Sequence, residues 1–486
     1  MKLHKQFVLC QASLDLDVIN WNATSIQNYT LYSDIKIPVT QLKNDSFQLI
    51  VLGDVFDYSN YTASNQEIIN SLLKINPTNF FTQFDSFCGS FIVFIHFFET
   101  NNFFIFHDAT GLRQFFYKKN KSNQIIAGSQ PTVINNFFPS QKNVSENSIL
   151  FYKSKQFSRR KIYVGNQTEF KKIKLLTPNH YLNEGTREVI RFFPSKQLSN
   201  QNLHLVVKKS AEIIKNYIKA AHYRYGITIP ITAGWESRVL LAASKDIKDL
   251  ATYFVFQHIN MSDNHQDIKI PKKLSKKLNF KLKIIKNNAT KKHEIPNINQ
   301  LISFPRHNYH THWLIEEAFK GTIKANGNVS EIARREWDDL NLTNGKSIAT
   351  VQQYNGLNYA ISYYDKWITK NIPLLKKQKY NYSDILYWEE NSANWAGKNN
   401  AEFRLVSEVF QPFNSRELLC DLLSVDEKYR KKQDSILYRG IIKELWAECL
   451  TEPINPSFKK TVIKILQKIG LYGIYRNISM LIKLLK

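Results

Sequence analysis

The sequence predicts an α+β domain followed by an α/β, doubly wound parallel-sheet domain that ends in a mainly helical part. Three observations predict it. Apolar aromatic and β-branched runs recur through the first 196 residues, as in "FQLIVLGDVFD" and "GSFIVFIHFFE". The texture then changes at the polar stretch "PSKQLSNQN" (194–202). Beyond it, helical and strand patterns alternate as β-α-β-α-β, the pattern of a parallel sheet covered by helices.

The first part reads as strands and turns with a few helices. "FQLIVLGDVFD" is a buried strand, and "NQEIINSLLKI" is a short helix with Ile68, Ile69, Leu72 and Leu73 on its apolar positions. "GSFIVFIHFFE" and "NNFFIFHDATG" form a hairpin about the polar turn Glu99 to Asn102, and a further strand pair follows. Continuous apolar runs, rather than clean alternation, predict a sheet buried on both faces. Next, "LHLVVKKSAEIIKNYIKAAHYRY" is a long amphipathic helix with Val207, Ala211, Ile214, Ile218 and Ala221 on one face. Strand "ITIPI" leads through a turn into helix "ESRVLLAAS". Strand "ATYFVF", helix "DIKIPKKLSKKL" and strand "KLKIIK" complete the alternation. Pro230 is an awkward residue for a central strand.

A chain of 486 residues is too long for one ordinary core. Hydrophobic residues at 43% exclude a disordered chain. The formal net charge of +25 admits nucleic acid, an anionic membrane surface or polyphosphate ligands, or plain compositional drift of scattered lysines. Cys10, Cys88, Cys420 and Cys449 lie far apart with no ligand spacing, which argues for reduced thiols and against structural zinc. No signal peptide or spanning run is apparent, so a cytoplasmic location is expected. The segment 457–486 has no acidic residue and carries an apolar stripe. It reads as a helix packing on its own domain, or as a basic amphipathic tail making peripheral membrane contact.

The candidate site is the turn "TAGWES", Thr232 to Ser237, between "ITIPI" and "ESRVLLAAS". A strand that ends in small residues and enters a helix presents backbone N–H groups to an anion. Thr232 and Ser237 add hydroxyls, Ala233 and Gly234 keep the backbone approachable, and Glu236 is placed to reach a phosphate-bound Mg²⁺. No GK[ST] follows, so it is not a Walker loop. In "NMSDNHQDI", Asp263 or Asp267 contacts ribose or caps the next helix. The histidines of "RHNYHTHW" (His307, His310, His312) lack the i,i+4 spacing of a zinc protease site.

The turn resembles the S-G-G-x-D-S loop of the asparagine synthetase family, within the ATP-pyrophosphatase (PP-loop) superfamily. Five ordered segments before it strengthen the resemblance. "LGDVFDY" and "CGSFIVFI" are similar to L-G-x-I-x-N and L-x-G-x-F-A-F. "HDATGLRQFFY" resembles D-x-x-G-x-R-x-x-Y-Y, "GSQPTVI" resembles A-S-E-x-K-x-L, and "TPNHYL" resembles P-G-x-x-L. Beyond the turn, "SEVFQPFNSREL" is similar to V-E-x-R-x-P-F-L-D. The resemblance implies a glutaminase-like two-sheet sandwich over 1–196 and a synthetase domain over 197–486, the latter including the tail 457–486. It implies an amide ligase that uses ATP and Mg²⁺ to adenylate a carboxylate for attack by ammonia or an amine, releasing AMP and pyrophosphate. The acceptor would be a small-molecule or sugar carboxylate, as in relatives of surface-polysaccharide or peptide-cyclising pathways, with no nucleic acid involved.

Several positions depart from that family. Its nucleophilic cysteine follows the initiator methionine, whereas here Lys2 follows Met1, so the first domain is expected not to hydrolyse glutamine. The motif S-G-x-G-x-D-E meets "ANGNVSEIARREW". There Ser330 takes the aspartate position, Glu331 the glutamate position, and Gly327 that of an earlier carboxylate. Glu236 and Glu331 are therefore the candidate metal ligands, with Glu331 and Glu408 as candidate catalytic carboxylates. Thr232, Ala233, Gly234, Trp235, Glu236, Ser237 and Asp263 are the candidate nucleotide contacts. Lys459 and Lys460 are candidates for the family's late phosphate-binding lysine. Against the ligase stand a non-catalytic descendant that binds a nucleotide or partner, and an RNA-modifying PP-loop enzyme suggested by the charge.

Overall fold

Period-2 alternation builds the first half of the chain. In the computed structural model, which describes residues 3–14, 21–73, 75, 77–287, 293–337, 342–432 and 434–456, two six-stranded antiparallel sheets face each other. One runs Lys174–Leu175, Phe116–Lys119, Ile125–Gly128, Phe7–Cys10, Tyr29–Asp34, Trp21–Ile26. The other runs Glu188–Arg191, His180–Asn183, Asn102–His107, Phe87–Phe97, Phe47–Asp57, Val39–Lys43. Successive side chains of a strand point to opposite faces. Phe7, Leu9, Ile50, Leu52, Ile92 and Phe94 accordingly fill the space between the sheets. Their neighbours Leu49, Val51, Val93 and Ile95 pack outward against helix Asn65–Asn70 and the Phe80–Phe84 turn. Val8 and Cys10 pack outward on the other side, with Val133 and Ile134 of helix Pro131–Phe137. Both sheets are thus covered on both faces, which is why their strands read as unbroken apolar runs. The hairpin turn sits where the sequence places it, with Phe97 opposite Asn102.

The second half is α/β. Its five-stranded parallel sheet has the order Leu282–Lys286, Thr252–Gln257, Ile227–Pro230, Ile323–Ala325, Val409–Phe410. Helices Leu203–Tyr225, Trp235–Ala243 and Gln266–Leu278 match the predicted segments closely. The register resolves the awkward proline. Ile231 N–H donates to Phe254 O at 2.8 Å, so Pro230 faces the other neighbour, and pairing with that neighbour ends at Thr228↔Lys324. A missing N–H at Pro230 therefore costs no ladder bond.

Residues 192–202 between the halves carry no strand or helix, yet they are pinned. Leu198 N–H donates to Gln378 O and Gln201 N–H to Ser424 O, both at 2.9 Å. One apolar core is continuous across them, joining Phe56, Cys88, Leu112 and Phe151 to Ile214, Leu240 and Trp388. Cys10, Cys88 and Cys449 are buried, and burial pushes the Cys10 thiol up to about 11, which suits an inert strand residue. Among the described residues, no helix is long and apolar enough to cross a membrane. Met1, Lys2, Lys459, Lys460 and the tail 457–486 lie outside the described residues.

Candidate functional site

Parallel strands deliver their loops at their carboxyl ends, and a crevice opens where the strand order reverses. Here that point lies between Ile227–Pro230 and Ile323–Ala325, so Thr232–Ser237 and Asn326–Ser330 are neighbours. A Cβ added to Gly327 would sit 2.4 Å from Glu236 Cβ, so glycine is what lets the second loop close on the first. Two of the segments singled out in the sequence therefore form one structure.

The turn is held mainly by its own side chains. Thr232 N–H donates to Ser237 Oγ at 3.1 Å, the two hydroxyls lie 2.9 Å apart, and Gly234 N–H donates to Thr232 Oγ1 at 3.1 Å. Ala233 N–H donates to the carboxylate of Asp267 at 2.8 Å. Gly234 is the N-cap of helix Trp235–Ala243 and supplies no side-chain cap. The first amides of that helix consequently have no acceptor within it and carry the positive end of its dipole. Trp235 does not face this crevice as a nucleotide contact. It is 4% exposed, belongs to the main core, and lies under the Arg439 guanidinium.

The acidic positions are differently employed from what the resemblance implies. Arg334 is buried, and its Nη1 lies 2.6 Å from Glu236 Oε1. Arg334 also pairs with Glu336 at 3.3 Å. Burial of the Glu331 carboxyl, reinforced by the charge of Glu236, pushes its pKa up to about 7. Ser330 is fully buried, with its Oγ unpartnered and its carbonyl accepting from Tyr438 at 2.6 Å. A carboxylate held by a guanidinium at 2.6 Å, with a buried hydroxyl where the family has an aspartate, leaves a poor donor set for Mg²⁺, which favours several anionic oxygens. The assignment of Glu236 and Glu331 as metal ligands does not fit this geometry.

Glu408 is not part of this site either. Lys324 pairs with Val409, which puts Glu408 at the amino edge of the sheet, roughly 15 Å from the turn at about 3.3 Å per residue. Burial works to raise its pKa, but Lys5 at 2.7 Å together with Arg113 and Arg404 holds it below the usual range. Asp263 lies at the carboxyl edge, where it accepts from Gln257 Nε2 at 3.0 Å. The helix cap that the sequence assigns to Asp263 or Asp267 is made by His265 instead. His312 stacks on Phe403, and burial lowers its pKa to about 3. Among the described residues, no group of three or more His, Cys, Asp or Glu is placed to hold a metal.

Two residues at the turn escape the sequence reading, Arg334 and Arg238, while Asp267, which the sequence offers as a ribose contact or helix cap, instead accepts from Ala233 N–H. Arg238, fully buried, donates from Nη1 to Cys449 O at 2.5 Å and to Glu452 O at 2.9 Å. Asn455 N–H donates to Ala233 O at 2.8 Å, so the segment after helix Ile436–Trp446 is seated against the turn. Arg238 directly follows Ser237, and Arg334 lies three residues after Glu331. Their nearness to the motifs is the signal that could have found them.

No protein-family profile matches the chain, and no curated protein matches it. Among solved structures it is weakly similar to a glutamine phosphoribosylpyrophosphate amidotransferase from B. subtilis complexed with ADP and GMP. That likeness has 10% identity and a TM-score of 0.18, and covers 61% of this chain and 59% of the other. It is too slight to bear on fold or activity.

Proposed function

We propose that this chain is an asparagine-synthetase-like protein that binds a nucleotide at the Thr232–Ser237 turn and has lost the metal-dependent part of that chemistry. The observation that carries the reading is the meeting of the turn and the Asn326–Ser330 loop at the switch point of the parallel sheet. There the open end of helix Trp235–Ala243 faces a phosphate, and Arg334, shared between Glu236 and Glu336, still has an unpartnered Nε–H to donate. The competing positions point away from catalysis: Arg334 occupies Glu236, Ser330 offers no carboxylate, and Glu408 is on the far edge of the sheet.

A second reading keeps the full ligase. The carboxylate oxygen of an acceptor attacks the α-phosphorus of ATP and pyrophosphate leaves. Ammonia or an amine then attacks the acyl carbon, AMP leaves with the acyl C–O electron pair, and the nitrogen gives up a proton to solvent. The retained Thr232–Ser237 hydroxyl pair and Gly234 favour it. Mg²⁺ bound with ATP would supply charge neutralisation in such chemistry. Calorimetry with ATP, followed by pyrophosphate–ATP exchange across a panel of sugar acids and amino acids, tests both readings. ATP binding without exchange supports the binding protein, exchange with any acceptor supports the ligase, and failure to bind ATP refutes both.

A further inference from the structure

The helical part hides a second feature that owes nothing to the nucleotide turn. Tyr387–Ala396 is a ten-residue π-helical stretch, a conformation that is rare and concentrated at functional sites. Its consecutive carboxylates Glu389 and Glu390 line a cavity of about 370 Å³, walled on one side by Lys174–Arg191 of the first half and on the other by helix Asn358–Lys377. That volume lies within the ordinary range of small-ligand sites.

The two carboxylates are in opposite situations. Glu389 is satisfied on every side: Arg191 grips both oxygens at 2.5 and 2.8 Å, Asn179 donates at 3.1 Å and Trp367 Nε1 at 3.2 Å. It is a structural bridge between the halves. Glu390 is only 2% exposed, accepts from Tyr363 at 3.0 Å through Oε1, and leaves Oε2 with no partner. Burial, partly opposed by the Tyr363 hydrogen bond, pushes its pKa up to about 8, so at neutral pH it is mostly the acid, with a hydroxyl to donate. Around the cavity stand Lys174, Lys366 and Lys370, which form no ion pair with a described residue. Lys366 and Lys370 are spaced i,i+4 on one helix face, where like charges repel unless an anion lies between them. Asn166, Gln167 and Thr177 complete a lining suited to hydroxyls rather than to an apolar tail.

We propose that this cavity is a second binding site, for a small hydroxylated anion of the sugar-acid or sugar-phosphate class. The lysines hold the charged group, and Glu390 with the neighbouring amides holds the hydroxyls. The test is calorimetric titration of the full chain with glucose 6-phosphate, glucuronate, glucose and inorganic phosphate. The phosphate or carboxylate sugar, whichever is the better ligand, should bind at least tenfold tighter than both glucose and inorganic phosphate. The Lys366→Ala/Lys370→Ala double variant alters exposed side chains and should fold, and it should weaken that binding at least tenfold. Glu390→Ala removes the group that holds the hydroxyls and should weaken binding of the charged sugar at least threefold, with a melting curve to show that the fold is kept. No binding by either charged sugar at about 10 mM, where even a millimolar site would fill, overturns the proposal. Equal binding of inorganic phosphate overturns it too, as does an affinity indifferent to loss of both lysines.

Discussion

Arg334→Met is the most informative perturbation of the turn. In the parent, Arg334 Nη1 lies 2.6 Å from Glu236 Oε1, beside the open end of helix Trp235–Ala243. If a nucleotide phosphate lies in this crevice, Arg334, held there by Glu236, is a buried cation placed to receive it. A charge-assisted hydrogen bond of this kind contributes roughly 1.5–3 kcal/mol, so its loss should weaken ATP binding roughly 10- to 150-fold. The single variant carries a second effect, because it leaves Glu236 unpaired next to Glu331. Breaking one side of a buried pair costs about 3–5 kcal/mol of stability, here reduced by the partial exposure of Glu236. The double variant Arg334→Met/Glu236→Gln removes that complication and should recover most of the melting temperature while still binding ATP weakly. Calorimetry with and without EDTA supplies the control: parent affinity should change little on chelation. If the double variant binds ATP as the parent does, Arg334 does not contact the phosphates and the reasoning fails.

The other predictions concern the turn and the buried acid. In Gly234→Val the new Cβ meets Glu236 Oε2 at 3.2 Å and Thr232 Oγ1 at 3.3 Å, both movable ends, so the fold should survive. ATP affinity should fall at least tenfold, since a side chain now stands in the approach to the turn; calorimetry and a melting curve read the two effects separately. Asp267→Asn keeps the acceptor for Ala233 N–H and removes a charge about 1 kcal/mol unfavourable to a nearby phosphate. ATP should bind severalfold more tightly to it, with affinity falling more steeply as salt is raised. Glu390→Gln should alter stability against pH. The folded carboxyl titrates near 8 and the unfolded one near 4.5, so the native state holds the proton longer and the parent loses stability as pH rises through that window. Tyr363, Glu389, Arg191 and the three cavity lysines face this group and are unchanged in the variant. Urea unfolding at pH 5 and pH 8 should show the variant gaining on the parent at the higher pH, by at most about 5 kcal/mol.

Local chemistry in the sequence locates the turn correctly, because a strand, small residues and a helix start are contiguous there. The parallel alternation and the doubly covered sheets are legible for the same reason, each being written in the period of one segment. Roles that depend on register are not. Glu408 lies in a motif-like stretch, yet the pairing Lys324↔Val409 decides which edge of the sheet it occupies, and no local pattern encodes that pairing. Trp235 looks like a turn residue and is a core residue, because the first turn of its helix already packs inward. "YWEENSANWA" reads as an ordinary polar helix, and only Arg191, 198 residues away, explains why Glu389 can be buried there.

The hydrogen bonds of the turn also separate two kinds of phosphate site. A loop that splits a triphosphate must wrap it with free amides and hold metal-borne charge on the far side. Here Ala233 N–H is committed to Asp267 and Gly234 N–H to Thr232, so the loop meets its needs internally. What remains to attract an anion is the helix end beyond Gly234 and the guanidinium of Arg334, both fixed in place: Arg238 fastens the helix to the Cys449–Pro453 backbone, and Glu236 holds Arg334. A helix end and one arginine are enough to bind a phosphate in a defined place. On the proposed reading they supply one centre of charge, where a leaving pyrophosphate would call for a second. On the proposed reading, Ser330 and the pairing of Glu236 with Arg334 belong together: a fixed side-chain cation stands where an exchangeable one would, and nucleotide binding would be kept without turnover.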